Sequence, residues 1–207
     1  ADVLADDSLA TDSVVSDLSF EDFAAENPLY AVLYPNVDNQ TGQLNPGPVV
    51  GICKISDTAQ VNAYLKDQSI LKLFPSDVVF SYTVKPYDPD GKLIQLVALK
   101  SNRGNAAMQG DVVTDAEDVF GQYSSTAEVS MEMNAEGVKK WKRLTADNID
   151  KSVAIVLDGY VYSYPTILAE ISGGRSSITG NFTLNEAKDL ANILKSGKLP
   201  APARIIE

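Results

Sequence analysis

The stretch TAEVSMEMNAEGVKKWKRL, residues 126–144, decides the fold class because its hydrophobic period changes once along its length. Its first nine residues alternate between polar and apolar side chains, which predicts a β-strand with one face in water. Asn134 then caps a helix, whose buried side is predicted from the apolar residues at helical spacing, Val138, Trp141 and Leu144. A strand followed directly by an amphipathic helix is typical of an α+β domain.

The residues after this helix predict a β-hairpin. Residues 153–157 are entirely apolar, and a second strand-like run occupies residues 160–164. The Asp158–Gly159 pair between them favours a two-residue turn, since both central positions of such a turn need positive φ. Pro165 ends the second strand.

A second helix is predicted downstream of the hairpin. Residues 172–180 are punctuated by glycines and include a short strand predicted at 176–179. Thr183 and Glu186 then form a capping-box pattern that opens the helix. Its buried side is predicted to comprise Leu184, Ala187, Leu190, Ala191 and Leu194. Gly197 and Pro200 are typical of a helix end, and residues 203–206 favour a last strand. The order β-α-β-β-(β)-α-β predicts a ferredoxin-like βαββαβ lobe with an antiparallel sheet.

Working outward to the N-terminus, the sequence predicts an acidic flexible linker and a second lobe. Residues 1–18 are rich in Asp, Ser and Ala, and the chain begins at Ala1, which is expected of a processed product or an excised fragment. The lobe in residues 19–105 is predicted as βαββ, with strands at 49–55, 78–85 and 93–99 and one helix opened by Asp57 and Gln60. Cys53 is predicted to be a small buried hydrophobe. The lobe described above occupies residues 106–207.

The boundary between the lobes is predicted to act as a hinge. Residues 101–110 contain few apolar side chains and include Gly104 and Gly110, whose backbones change conformation at little steric cost. We expect the two lobes to pivot there, opposite a second chain crossing at the N-terminal linker.

Composition excludes several classes of function. The net charge of −11 argues against nucleic-acid binding, which needs clustered Lys and Arg. The chain has no His and one Cys, so a Ser-His-Asp triad, a His-ligated zinc and an internal disulfide are excluded. Glu128 and Glu132 lie about 13 Å apart on one strand, too far for an acid/base pair. Asp158 is predicted to be a turn residue rather than a catalytic acid. No catalytic, cofactor-binding or metal-binding residue is predicted.

Two further segments have an ordinary structural interpretation beside a functional one. Residues 173–177 resemble an anion-binding loop, but they lack the Lys-Ser/Thr pair and the adjacent helix start, so loop geometry is favoured. Residues 139–143 are basic around Trp141, which favours a solvated helix face over docking on an acidic partner or on lipid headgroups.

The amino-acid sequence of the C-terminal lobe resembles that of the SecD family. The resemblance is carried, in fixed order, by AIVLDG at 154–159, VYSYP at 161–165, ISGG at 171–174, ITGNFT at 178–183 and LPAP at 199–202. The tyrosine-rich hairpin and the acidic linker are similar to the fused SecDF form of Bacteroidetes-type bacteria. The structural signature residues are Asp158, Gly159, Pro165, Gly173, Gly174, Gly180, Asn181, Gly197 and Pro200.

The resemblance implies the first periplasmic domain of a protein-export membrane protein, with no enzymatic activity. It implies a head lobe at residues 19–105 and a base lobe at 106–207, on the periplasmic side of the inner membrane. The implied partners are unfolded exported polypeptide, the SecYEG translocon and the remaining SecDF membrane helices. Residues that bind the polypeptide are not identified. A structural docking domain without client binding and an envelope hydrolase stay open as alternatives. The family has Gly where Asp150 stands, so a strained or altered turn is expected there.

Overall fold

The computed structural model describes residues 25–38, 40–101, 105–120 and 127–196. The predicted acidic linker, Gly104, Gly197, Pro200 and the predicted last strand lie outside the described residues. Gly180 and Asn181 are described only by their backbone, which lies in a strand.

The first lobe is a four-stranded antiparallel sheet with two short helices. Its elements are β1 (Leu33–Pro35), β2 (Val49–Lys54), α1 (Thr58–Leu65), α2 (Gln68–Leu71), β3 (Val78–Tyr82) and β4 (Leu93–Lys100). The strand order is β1-β2-β4-β3. The predicted βαββ order is therefore present. The extra edge strand β1 was not predicted, because three residues ending in a proline are too short to show a period of two.

The helical segment of this lobe differs from the prediction. One helix opened by an Asp57 cap was expected, but Asp57 makes no side-chain capping hydrogen bond. A short 3-10 turn, Ile55–Asp57, precedes α1 instead, and Thr58 Oγ1 donates to the Ile55 carbonyl at 2.8 Å. The chain then breaks, and Asp67 caps α2 by accepting from the Ser69 amide at 2.8 Å. An Asp at this position favours a new N-terminus over continuing the first helix.

The second lobe contains a three-stranded antiparallel sheet, a separate hairpin and two longer helices. Its elements are β5 (Val113–Phe120), β6 (Ala127–Met133), α3 (Ala135–Ala146), β7 (Ile155–Leu157), β8 (Tyr160–Ser163), β9 (Arg175–Phe182) and α4 (Leu184–Ser196). The strand order of the sheet is β5-β6-β9, and β7 pairs only with β8 among the named strands. The α+β class and the antiparallel sheets agree with the prediction.

The ferredoxin-like arrangement is not what these strands form. That arrangement needs the two hairpin strands inside the main sheet, whereas the described residues place the hairpin in a sheet of its own. The position beside β6 is taken by β9, which is eight residues long rather than four. On the other side of β6 lies β5, a strand that was not predicted. A register shift between Val113 and Asp115 breaks its alternation, which hides the period-two signal.

The core of the second lobe lies between the three-stranded sheet and helices α3 and α4. The apolar face of β6 is buried and its polar face is partly exposed, as the alternation predicted. The buried cluster joins Val129 and Met131 of β6 to Trp141 of α3 and Leu190 of α4. Leu184 was predicted to be buried with them, but it is 48% exposed. It begins α4 at the rim of the packed face.

Cys53 lies fully buried in the first core, packed with Val61 and Leu96. Burial raises the pKa of its thiol to about 11, with a smaller contribution from the negative charge of Asp57. At pH 8 only about one such thiol in a thousand is ionised, and the thiolate is the reactive form. We expect iodoacetamide at pH 8 to label Cys53 at least about 100-fold more slowly in the native chain than in 8 M urea. Equal labelling rates measured by mass spectrometry would contradict this placement.

Candidate functional site

The signature residues of the hairpin determine its shape. Asp158 and Gly159 both have positive φ, at 49° and 82°, as the predicted turn requires. The carbonyl of Pro165 accepts from the Val153 amide at 3.0 Å, which closes the base of the hairpin. These residues therefore place β8 rather than perform chemistry.

Asp150 forms a turn with a positive φ, as expected from the sequence. Its φ is 62°, a region that costs a residue with a Cβ atom some free energy but that Asp tolerates better than other types. Its amide donates to the Ile167 carbonyl at 2.8 Å. The turn therefore ties the segment after α3 to the segment after the hairpin.

The glycine signature residues line the entry to β9. The Gly174 carbonyl accepts from the Met133 amide at 2.9 Å, and a Cβ atom at Gly174 would lie 3.4 Å from Val138 Cγ2. The backbone of Gly180 and Asn181 lies in β9, where the register with β6 shifts between Ala127 and Val129. The structural role of these glycines stays a prediction.

Thr145 holds the ISGG segment against α3, a contact that sequence reasoning missed. Its side chain is fully buried, and its Oγ1 accepts from the Ile171 amide at 2.9 Å while donating to the Trp141 carbonyl at 2.9 Å. A threonine in the middle of a helix gives no sequence signal for such a bond.

Replacing Thr145 with valine should lower the free energy of unfolding by about 1–3 kcal/mol, because the Ile171 amide loses its acceptor while the shape is preserved. Thr145→Ser keeps the oxygen and is the matched control. Urea denaturation measures both variants. A Thr145→Val variant as stable as wild type, with Thr145→Ser less stable, would show that only the methyl group matters.

The two lobes are joined at a seam formed by residues 83–85 with the hairpin and α4. Thr83 forms a parallel bridge with Val161, and the Val84 amide donates to the Val161 carbonyl at 2.9 Å. Tyr164 Oη donates to Gln95 Oε1 at 3.2 Å. The second crossing expected at the N-terminal linker lies outside the described residues, but this seam provides a contact between the lobes far from the predicted hinge.

Glu186 joins the seam to the cap of α4. One carboxylate oxygen pairs with Lys85 Nζ at 2.5 Å and the other accepts from the Thr183 amide at 2.8 Å. Burial alone would raise the pKa of Glu186, but the bonds to Lys85 and Thr183 outweigh it and hold the pKa below its ordinary value. The predicted capping box is therefore present, and its carboxylate also holds the first lobe.

Thr183→Ala should destabilise the chain by about 1 kcal/mol through loss of the N-cap. Thr183 Oγ1 accepts from the Glu186 amide at 3.4 Å, so the bond is long and the effect should not exceed this value. Thr183→Ser preserves the oxygen and should retain stability in the same thermal melt. An unchanged melting temperature for Thr183→Ala would mean that the hydroxyl does not act as the cap.

The predicted hinge is anchored at both ends. The Ser101 amide donates to the Asp77 carbonyl at 2.7 Å, which ties its start to the first lobe. Gly110 begins a short 3-10 turn, Gly110–Val112, and the Val112 carbonyl accepts from the Asn134 amide at 2.9 Å. Gly104 between them lies outside the described residues.

One edge of the first sheet has unused backbone groups, and we call the outer side of β3, residues 78–82, the open edge. The Asp77 carbonyl accepts from the Ser101 amide, and the Thr83 amide donates to the Gln95 carbonyl at 3.0 Å. The backbone groups of residues 77 and 83 therefore point toward β4. In an antiparallel pair these directions alternate, so the backbone groups of Val78, Phe80 and Tyr82 point away from β4.

Comparisons with known proteins bear on this arrangement. The family model described as SecDF, P1 head subdomain, matches residues 85–201. Protein translocase subunit SecD of Rhodothermus marinus is 41% identical over 208 aligned residues, which cover 97% of this chain and 32% of the relative. The SecD subunit of Calditerrivibrio nitroreducens is 36% identical over 74% of this chain and 31% of its own length. A solved structure of SecDF, described as a membrane component that enhances protein export, is 26% identical and covers 93% of this chain and 77% of that chain, with a TM-score of 0.44.

The family model described as the head subdomain covers residues 85–201, whereas the head lobe is expected from the sequence at residues 19–105. The division into a head and a base lobe stays a prediction. The relatives are translocase subunits, which supports a chain that is not an enzyme. The chain spans about a third of the length of these two relatives. No helix in the described part of the chain is long and apolar enough to cross a membrane.

Proposed function

The chain belongs to the SecD/SecDF protein-export family, and from that premise we propose that it is a periplasmic domain that binds polypeptide emerging from the SecYEG channel. The match of residues 85–201 to the P1 head subdomain is the observation that carries this proposal. Its client is unfolded exported polypeptide, and its further partners are the SecYEG translocon and the SecDF membrane helices. The fused Bacteroidetes-type form stays a prediction.

Sheet edges support a binding role that does not depend on client sequence. Main-chain hydrogen bonds recognise an extended backbone of any composition, which suits a client list without a common motif. Such binding is reversible when few bonds form, and export requires release. We propose that the domain aids export driven by the proton-motive force. The resemblance implies that the proton-carrying residues of the family lie in its membrane helices, so no residue named here is assigned to proton transport.

Binding to an unfolded client tests the proposal. We expect reduced, carboxymethylated α-lactalbumin carrying a fluorophore to show a saturable rise in anisotropy with the 207-residue chain. Native α-lactalbumin with intact disulfides is the matched control, and it should show no rise. Equal responses from the two forms, or none from either, would contradict client binding.

The contacts of the seam hold the two lobes together, as a rigid domain would require. The seam therefore favours the alternative of a purely structural docking domain. We propose instead that the lobes pivot about residues 101–110, with Gly104 and Gly110 as hinge positions, when the seam opens. Spin labels at Gln60 on α1 and Lys188 on α4 report the distance between the lobes. A broad distribution that changes with the unfolded client supports the pivot, and one narrow, unchanged distance supports the docking domain.

A further inference from the structure

We propose that the open edge of β3 is the place where an extended client segment adds as a further β-strand. This inference rests on the proposed function and names its site. The edge offers four outward backbone groups: the Val78 carbonyl, the Phe80 amide, the Phe80 carbonyl and the Tyr82 amide. Within the described residues none of these four has a backbone hydrogen-bond partner. The alternation of donors and acceptors matches that of an extended chain.

The chain itself already adds a strand to this edge at one end. β8 meets it at the Thr83–Val161 bridge, and the hydrogen bond from Val84 to Val161 continues the outward ladder by one residue. The turn at Asp158–Gly159 then leads the chain back along β7. β8 therefore occupies the edge at Thr83 and at the Tyr82 carbonyl, and the edge is open from the Tyr82 amide to the Val78 carbonyl.

The other sheet edges carry features that prevent strand addition, whereas β3 carries none. β1 is three residues long and ends in Pro35, β5 carries Asp115, Glu117 and Asp118, and β9 carries Arg175 and a register shift. β7 is also three residues long, and its register with β8 shifts between Ile155 and Val156. Proline, charge and irregular register all protect edges from pairing. The sequence of β3 is VVFSY, with no charge, no proline and no glycine. Among the described strands, β3 therefore has the edge best suited to an added chain.

The ends of the open edge also suit an unfolded chain. An open groove of about 450 Å³ lies where β3 begins, and it is lined by Pro75, Asp77, Val78, Ala98, Leu99 and Lys100. Four of its six lining residues are apolar, so it can accept an apolar client side chain. Leu73, two residues before this groove, is 80% exposed. The occupant we infer is an extended segment about four residues long, with an apolar side chain at the groove.

Amide exchange tests the proposal because edge binding has an alternating pattern. In the free 207-residue chain, the amides of Phe80 and Tyr82 should exchange fast, while the ladder amide of Ser81 exchanges slowly. Reduced, carboxymethylated α-lactalbumin at saturation should slow exchange at Phe80 and Tyr82 at least about 10-fold. The exchange rates of the Ser81 amide and of the Thr114 amide on the charged edge strand β5 should be unchanged.

A matched pair of variants tests the same bonds by affinity. Phe80→Pro and Phe80→Leu both remove the ring that contacts Phe74, but only proline removes the outward amide. We expect Phe80→Leu to bind the unfolded client within about 2-fold of wild type and Phe80→Pro to bind at least about 5-fold more weakly. The exchange experiment uses the wild-type chain, so it stands even if the proline variant does not fold.

The outcomes separate the two proposals. A client that binds without slowing exchange at Phe80 and Tyr82 overturns the edge site and leaves the proposed function intact. A client that does not bind to the wild-type chain overturns the proposed function and the edge site with it. Equal affinities of folded Phe80→Pro and Phe80→Leu also overturn the edge site.

Discussion

Replacing Trp141 with alanine should lower the free energy of unfolding by about 3–5 kcal/mol, the usual cost of removing a large aromatic side chain from a core. Trp141 is 7% exposed and belongs to the cluster formed by the three-stranded sheet, α3 and α4. Its removal leaves a cavity between a helix and β6 that rigid neighbours cannot fill. Urea denaturation followed by circular dichroism measures the loss.

The matched control for this position is Trp141→Phe. Within the described residues the indole Nε1 is buried and has no hydrogen-bond partner, so removing this group breaks no hydrogen bond. We expect Trp141→Phe to cost much less than the alanine variant, about 1.5 kcal/mol or less. Equal losses for the two variants would mean that the indole nitrogen, and not packing volume, stabilises this core.

Replacing Val161 with aspartate should cost about 3–5 kcal/mol, because it removes a buried apolar side chain and places a carboxyl in its position. Val161 is 1% exposed and forms the bridge to Thr83 at the seam. Thr83 on the other side of this bridge is also buried, at 7% exposure. None of the seam residues named here belongs to the buried cluster of either lobe.

Val156→Asp is the matched control, since Val156 lies directly opposite Val161 in the hairpin and is 43% exposed. The same substitution there should cost less than about 1 kcal/mol. In the Val161 variant, burial raises the folded-state pKa of the new carboxyl above its unfolded value. The folded state then binds more protons, so the variant loses stability as the pH rises through that interval. The deficit should therefore be smaller at pH 4 than at pH 7. A deficit independent of pH, or equal for both positions, would show that Val161 is not held in an apolar seam.

The local structure of the second lobe was largely predictable from the sequence. The alternation in residues 126–134 and the helical spacing after Asn134 predicted β6 and α3, and both are present. The Asp158–Gly159 turn and the Thr183–Glu186 capping box were predicted from single residues and are also present. Each of these features depends on a few neighbouring residues, so the sequence alone contains the required information.

Errors arose where an element depends on partners far along the chain. β5 was missed because a bulge breaks its alternation, and the Leu184 side chain was predicted to be buried because helical spacing does not report where a packed face ends. In both cases tertiary context outweighs a local pattern. The single helix expected after Asp57 divides in two for a local reason, since Asp67 caps a second start.

The sequence by itself determined the α+β class, the hairpin turn, the caps of α3 and α4 and the family to which the chain belongs, because all four are carried by residue types at fixed short spacings. Only the tertiary structure decided that β9 lies beside β6, that the hairpin leaves the main sheet to bridge Thr83, and that β3 keeps an outward ladder without a partner. The physical reason is that strand pairing and packing between lobes are contacts between distant residues. Hydrophobic burial and backbone hydrogen bonding together select these contacts between distant residues. No periodic pattern within a single segment reports which distant segment it will contact.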